Sequence, residues 1–301
     1  MKKIFMLALM SAMFGIGSIS AQSQEFEGEM TSHMYSMQKI DYKVKISSPV
    51  TKLIVKAILK KTLDKNLNFY NGTYNTTTWA KGDKTKTFYP YNNSYAIVEK
   101  LDGDKIKTTY YYPYINKGYY MVQDVKAAKE SLEEMRKAQV EKTGETMTIL
   151  GYKCDVYKVK YEMKSDSAGT VSETNLHNEF AICTDPSLPG ANEECIPGVK
   201  GVPLKFTNNT VSQTTNEMLN FDFRLSIASK IESITPKPLD DSEFKVPAGI
   251  DVIDGLADPK KMTKIINDNK NYMKKKGLWN EKDTQTEEIK VYDNLSEDWD
   301  Y

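Results

Sequence analysis

The stretch TYNTTTWAKGDKTKTFY, residues 73–89, decides the fold. β-Branched and aromatic residues flank Lys81-Gly82-Asp83-Lys84, so it reads as strand, tight turn, strand. The same pattern continues outward. Ser94 to Lys100 reads as a third strand, ending at the hairpin signal Asp102-Gly103-Asp104. Lys105 to Tyr112 is a fourth, and Lys117-Gly118 introduces Tyr119-Tyr120-Met121-Val122. Strands joined in series by short turns predict an antiparallel meander.

On the N-terminal side, Phe26 to Tyr42 alternates well enough for one or two strands. Ser48-Pro49 then opens a helix, with Ser as N-cap and Pro in first position. Leu53, Ile54, Ala57 and Ile58 fall on one stripe at helical spacing, while Lys52, Lys56, Lys60 and Lys61 lie largely elsewhere. Such a helix packs its stripe on a sheet with its lysines in water, and that is the expectation. The competing reading is a helix lying on a membrane surface.

On the C-terminal side, Asp124 caps an expected helix running to about Lys142. Strands follow at Thr146 to Leu150, Tyr152 to Met163, Asn175 to Cys183, Val202 to Asn209, Glu217 to Leu225 and Ala228 to Ile234. Ser165 to Glu173 reads as an exposed polar turn. Pro236 and Pro238 stop the strand run. Lys260 to Lys276 reads as a helix capped by Asp258 with Pro259 in first position, and beyond Gly277 the chain is acidic, polar and expected to be extended.

The chain opens Met1-Lys2-Lys3, runs uncharged and mostly apolar from Ile4 to Ile19, and exits through Ser20-Ala21 into polar sequence. A basic start, a short apolar core and a small-residue exit form a signal peptide. The run is shorter than the roughly 20 residues a spanning helix needs. No Cys lies near the cleavage site, so the expected mature protein is periplasmic, soluble and not lipid-anchored. Without Lys2 and Lys3 it carries 39 basic against 41 acidic side chains. That balance argues against a dedicated nucleic-acid or anionic-membrane binder, which would show a basic excess. Arg136 and Arg224 are the sole arginines, which disfavours bidentate carboxylate or phosphate recognition.

Three cysteines, Cys154, Cys183 and Cys195, bear on an oxidising compartment. Cys183 and Cys195 flank a turn-rich loop, and a disulfide between them would close it. Cys154, in an alternating strand, would then remain a buried thiol. Pairing of Cys154 with Cys183 stays open, since connectivity is not written in sequence. A zinc site is a poor third choice, lacking close Cys pairs or a nearby His pair.

Five segments together carry a resemblance. They are Glu25-Phe26-Glu27-Gly28-Glu29-Met30; Trp79-Ala80-Lys81-Gly82-Asp83-Lys84; Thr143 through Gly151-Tyr152-Lys153-Cys154; Leu188-Pro189-Gly190 with Gly198 through Leu204; and Leu239 through Val246-Pro247-Ala248-Gly249. In this order they resemble an uncharacterised family of exported bacterial proteins, a domain of unknown function, allied to the LolA/LppX-like lipoprotein-carrier fold. The resemblance implies an α+β, mostly β fold: an open antiparallel β half-barrel with helices covering one face, spanning 22–254. A leader over 1–21 precedes it, and a C-terminal helix with polar tail follows over 255–301. In LolA-like carriers the concavity holds acyl chains. The long Tyr-rich meander and the C-terminal extension depart from that pattern.

No nucleophile elbow, phosphate loop, dinucleotide fingerprint or helical zinc motif occurs. His33 and His177 are the only histidines, and neither sits in a motif. Asp240, Asp241 and Glu243 read as turn caps rather than calcium ligands. Asp185, Glu193 and Glu194 offer too few oxygens for more than weak cation binding. Tyr110, Tyr111, Tyr112, Tyr119 and Tyr120 form the densest aromatic group. The expected protein is therefore non-enzymatic, needs no cofactor or metal, and binds a lipid or acyl chain. The alternative is an envelope protein–protein interaction module built on strand edges or the Tyr-rich meander.

Overall fold

The computed structural model describes residues 26–66, 72–102, 105–124, 137–167, 169–188, 190–192 and 194–279. The expected leader over 1–21 and the acidic tail from 280 lie outside them. The described chain is mostly β, and twelve of its strands form one open sheet that does not close into a barrel.

The meander comprises β2 (Gly72–Lys81), β3 (Lys84–Tyr89), β4 (Ser94–Leu101), β5 (Lys105–Tyr112) and β6 (Lys117–Asp124). Its tight turn places Gly82 at φ 56°, a left-handed conformation that glycine adopts without penalty. Along its strands Thr78 and Thr87 hydrogen-bond across the ladder at 3.0 Å. The other half comprises β7 (Gln139–Ile149), β8 (Tyr152–Ser167), β9 (Thr170–Cys183), β12 (Val202–Thr215) and β13 (Leu219–Pro236). A separate hairpin, β10 (Glu194–Ile196) with β11 (Val199–Lys200), lies between β9 and β12 in sequence.

The central strand is β1 (Glu27–Val44), which pairs with β2 on one side and β13 on the other. It is one strand where the sequence allowed one or two, and β13 is one strand where two, at 217–225 and 228–234, were expected. A register shift between Thr31 and Ser32 absorbs the irregularity. The cores follow this seam. Met34, Phe206, Phe223, Leu225 and Ile227 form one buried cluster, and Met30, Ala80, Cys154, Cys183, Val202, Leu204 and Ile231 belong to another.

Three expectations are corrected. Gln139 to Lys142 are strand, so the helix expected from Asp124 cannot reach Lys142; residues 125–136 lie outside the described part. The polar stretch from Ser165 is not a long turn, because β8 and β9 stay paired out to Ser167 and Thr170. Backbone ladder bonds override the polar composition there. The sheet is not wholly antiparallel: β14 (Asp251–Asp254) pairs parallel with β6.

Both sheet edges are blunted. β14 has 4 residues. β7 exposes Glu141, Lys142 and Glu145 and shifts register between Lys142 and Thr146. Charge, irregularity and shortness all discourage edge pairing.

Two helices are described, α1 (Pro49–Asn66) and α2 (Pro259–Lys275). Asp258 caps α2 by accepting from the Lys261 N–H at 2.9 Å, with Pro in the first turn as expected. Ile265, Asn269 and Met273, each four residues apart, are buried, and Ile265 packs with Tyr112 and Tyr119 of the sheet.

The segment after β13 folds back over β1 and β2. Lys237 Nζ and Trp79 Nε1 both donate to Glu29, at 2.6 and 2.8 Å. The Leu239 N–H donates to Glu27, and Lys81 Nζ to the Leu239 carbonyl. The Lys237 hydrogen bond, then that of Trp79, holds the Glu29 carboxyl below its ordinary value of 4.5. A depressed carboxyl contributes stability that is full above about 4.5 and is lost as pH falls through the folded value. Acid should therefore destabilise the native chain more than Glu29→Gln. Urea midpoints compared at neutral pH and at about pH 3 check this; equal acid losses in the two proteins would refute it.

Candidate ligand-binding surface

The described part of the apolar stripe of α1 is not packed on the sheet; the Ile58 side chain lies outside the described residues. Val50, Leu53 and Ile54 are 69%, 71% and 53% exposed, and Ala57, one turn on, is exposed as well. These positions recur at i, i+3, i+4 and i+7, so they share one face. Lys52, off that face, is half-buried. The expected inward stripe is therefore not seen over the described turns, while Lys56 is exposed as expected. Packing residues by period identifies a face but not what lies against it.

Ser48 accepts from the Thr51 hydroxyl at 3.0 Å at the start of α1, consistent with its expected capping role. No helix among the described residues is long and apolar enough to cross a membrane.

The tyrosines do not form a platform. Strand alternation sends Tyr110 and Tyr112 to one face and Tyr111 to the other. Tyr112 and Tyr119 are buried beneath α2, with Tyr110 packed beside them. Tyr111 is buried, and its ring stacks on Tyr95 at 4.9 Å. Burial pushes the hydroxyls of Tyr110, Tyr111, Tyr112 and Tyr119 upward, keeping them protonated. Tyr120 is half-buried, with Lys107 Nζ 5.5 Å from its ring centre.

The acidic candidates are occupied locally. Asp240 caps a short 3-10 turn over Asp241–Phe244 by accepting from the Ser242 N–H at 2.7 Å, which lowers its pKa. Asp241 pairs with Lys81 and Glu243 with Lys86. The Ser187 hydroxyl and N–H donate to Asp185 and lower its pKa. Glu194 accepts from the Gly198 N–H, and Glu193 lies outside the described residues. Among the described residues no three His, Cys, Asp or Glu side chains converge on a metal-binding geometry.

A cleft of about 330 Å³ is lined by Lys153, Asp155, Ile182, Thr184 and Asp185. Its lining is mostly polar, and Asp155 already accepts from Lys142 at 2.6 Å. His33 Nδ1 meets Asn75 Oδ1 at 2.7 Å across β1 and β2. His177, on β9, has its pKa lowered by burial and by Lys160. Neither histidine stands at the cleft.

The structure shows the three cysteines unbonded, Cys154 and Cys183 buried and Cys195 half-buried. Cys183 lies opposite Cys154 in the β8–β9 ladder. Cys195 sits on β10, where its thiol donates to the Val199 carbonyl at 3.5 Å. Burial raises the Cys195 thiol to about 11.

Residues 101–250 match the family described as a domain of unknown function, DUF4412. The match begins at the end of β4 and stops just before β14, so α1 and α2 lie outside it. Among curated proteins nothing matches. The solved structure of PNGF-II in space group C2 aligns with 80% of this chain at 13% identity and a TM-score of 0.33. The chain spans about a third of that protein's length, 33%.

Proposed function

We propose that this is an exported, non-enzymatic envelope protein that binds an amphipathic ligand, the acyl chain of a lipid. The observation that carries the reading is the outward apolar face of α1, formed by Val50, Leu53, Ile54 and Ala57. A contiguous exposed apolar face marks a contact site. Each large side chain buried there is worth about 1.5–3 kcal/mol relative to water. The leader at the N-terminus supplies the envelope location, and the open sheet is compatible with a LolA-like half-barrel whose concavity takes the chain.

The protein–protein alternative draws less support. Its Tyr-rich surface is largely core, and both edge strands carry features that discourage strand addition.

Sedimentation with phosphatidylglycerol–phosphatidylcholine vesicles, alongside native mass spectrometry of protein taken from its own envelope, tests the proposal. The native chain should co-sediment or carry lipid. Leu53→Glu with Ile54→Glu should abolish both while changing stability by no more than about 0.5 kcal/mol, since both side chains are exposed. Vesicle binding unaffected by the double substitution, or absence of both lipid and vesicle binding in the native chain, would overturn it.

A further inference from the structure

Of the candidates beyond the lipid-binding reading, the facing thiols of β8 and β9 carry an inference furthest. The register of these strands is continuous: Cys154 is opposite Cys183, Asp155 opposite Ile182, Val156 opposite Ala181 and Tyr157 opposite Phe180. Residues directly opposite in an antiparallel ladder project to the same face with Cα atoms about 4.5–5.5 Å apart. A disulfide takes Cα separations of about 4.4–6.8 Å, so this ladder position accommodates one with little backbone movement.

The surroundings are closed. Cys154 is 0% exposed and Cys183 1%. Both lie in the cluster formed with Ile149, Ala181, Val202 and Leu204. Their sulfurs make long hydrogen bonds, from Cys154 to the Tyr152 carbonyl at 3.7 Å and to Cys183 from the Asp185 N–H at 3.4 Å, and the two thiols also interact with each other. Replacing two thiols by one S–S bond leaves no strong polar contact unsatisfied. Cys195 belongs to a different cluster, with Val159, Ile182 and Ile196.

We infer that Cys154 and Cys183 form a cross-strand disulfide, leaving Cys195 as the free thiol. The oxidant is a disulfide donor of the glutathione or oxidised-dithiol class. The thiolate of one cysteine attacks the donor's S–S bond, forming a mixed disulfide and releasing one donor thiolate. The second cysteine thiolate then attacks the protein sulfur of that mixed disulfide and displaces the other donor sulfur. One protein S–S bond forms, one donor S–S bond breaks, and the two protein protons end on two donor thiols.

Burial, with Cys183 adjacent, pushes the Cys154 thiol up to about 12. The folded chain therefore presents almost no thiolate at this position, and exchange requires the thiolate. The bond forms while the strands are still open, and the core then shields it from reductant.

Refolding the full chain from urea in a reduced/oxidised glutathione mixture, followed by non-reducing peptide mapping, tests the inference. The expected product links the Cys154 and Cys183 peptides, and the titratable thiols fall from three to one. Cys195→Ser should give the same link and the same rise in urea midpoint on oxidation. Cys183→Ser should show no oxidation-dependent rise. A Cys183–Cys195 or Cys154–Cys195 link, or three free thiols after oxidative refolding, would overturn it. If Cys183→Ser fails to fold, the Cys195→Ser map still decides.

Discussion

Leu225→Ala is expected to lower the free energy of unfolding by about 2–5 kcal/mol. Leu225 is fully buried in β13, where its ladder neighbours are Gln38 of β1 and Thr210 of β12. Its side chain belongs to the cluster with Met34, Phe206, Phe223 and Ile227. Those groups come from three strands hydrogen-bonded side by side, so they cannot collapse into the space that truncation leaves. The loss combines the transfer energy of the deleted carbons with a residual cavity. Leu225→Met conserves volume and should cost less than about 1.5 kcal/mol. Urea titration reads both, as a lower midpoint with the slope unchanged. A loss under about 1 kcal/mol for the alanine variant would mean that this seam is not a packed core.

The second large effect is at Gly201, where β11 gives way to β12. Its φ is 137°, and a Cβ there would stand 2.5 Å from Ile182 Cγ2 and 2.7 Å from the Cys183 carbonyl oxygen. One of these contacts is backbone and the other the core side of a buried isoleucine, so neither yields cheaply. Gly201→Ala should cost about 2–5 kcal/mol from backbone strain and overpacking together. Gly144, at φ 81° with open space around its Cβ position, is the control. Gly144→Ala meets only the left-handed penalty, about 1–2 kcal/mol. Thermal or urea unfolding separates the two; equal costs would show that the close approach at Gly201 is absent.

Gly201 also bears on the cysteines. Its neighbour Val202 lies opposite Cys183 in the β9–β12 ladder, so displacement at Gly201 disturbs the strand that places Cys183 against Cys154. Oxidative refolding of Gly201→Ala is therefore expected to give a lower yield of the Cys154–Cys183 link than the native chain.

Where the governing physics was local, the residues could be read directly. Thr73 to Tyr89 announces a strand, turn and strand because β-branched side chains, alternation and Gly82 act within a few residues. Asp258 and Pro259 start α2 for the same reason: the cap bond spans three residues. Pro236 ends β13 because a proline has no N–H for the ladder. The mostly β class and the order of elements along the chain were legible on those grounds.

The candidate site was legible only in part. The period of Leu53, Ile54, Ala57 and Ile58 identified a face, to which the structure adds Val50, but the exposure of Val50, Leu53, Ile54 and Ala57 depends on what packs beside α1, and no local property of the helix encodes that. The loop between Cys183 and Cys195 drew attention because the two are close in sequence. The strand ladder instead puts Cys183 beside Cys154, an alternative that connectivity had left open. The tyrosines at 110–112 alternate as read, yet only α2, more than a hundred residues later, turns one of the two faces into core.

The residues alone specified the strands and the Gly82 turn of the meander, the caps of both helices and the three thiols available for pairing. Tertiary structure alone decided that β1 is central, that β13 lies beside it, that β14 adds in parallel and that Cys154 faces Cys183. The reason is range. Turn chemistry, capping and alternation act between neighbours, whereas Gly28 meets Pro236 across the β1–β13 ladder. Such a pairing is chosen by burial of whole strand faces, which no short window of residues specifies.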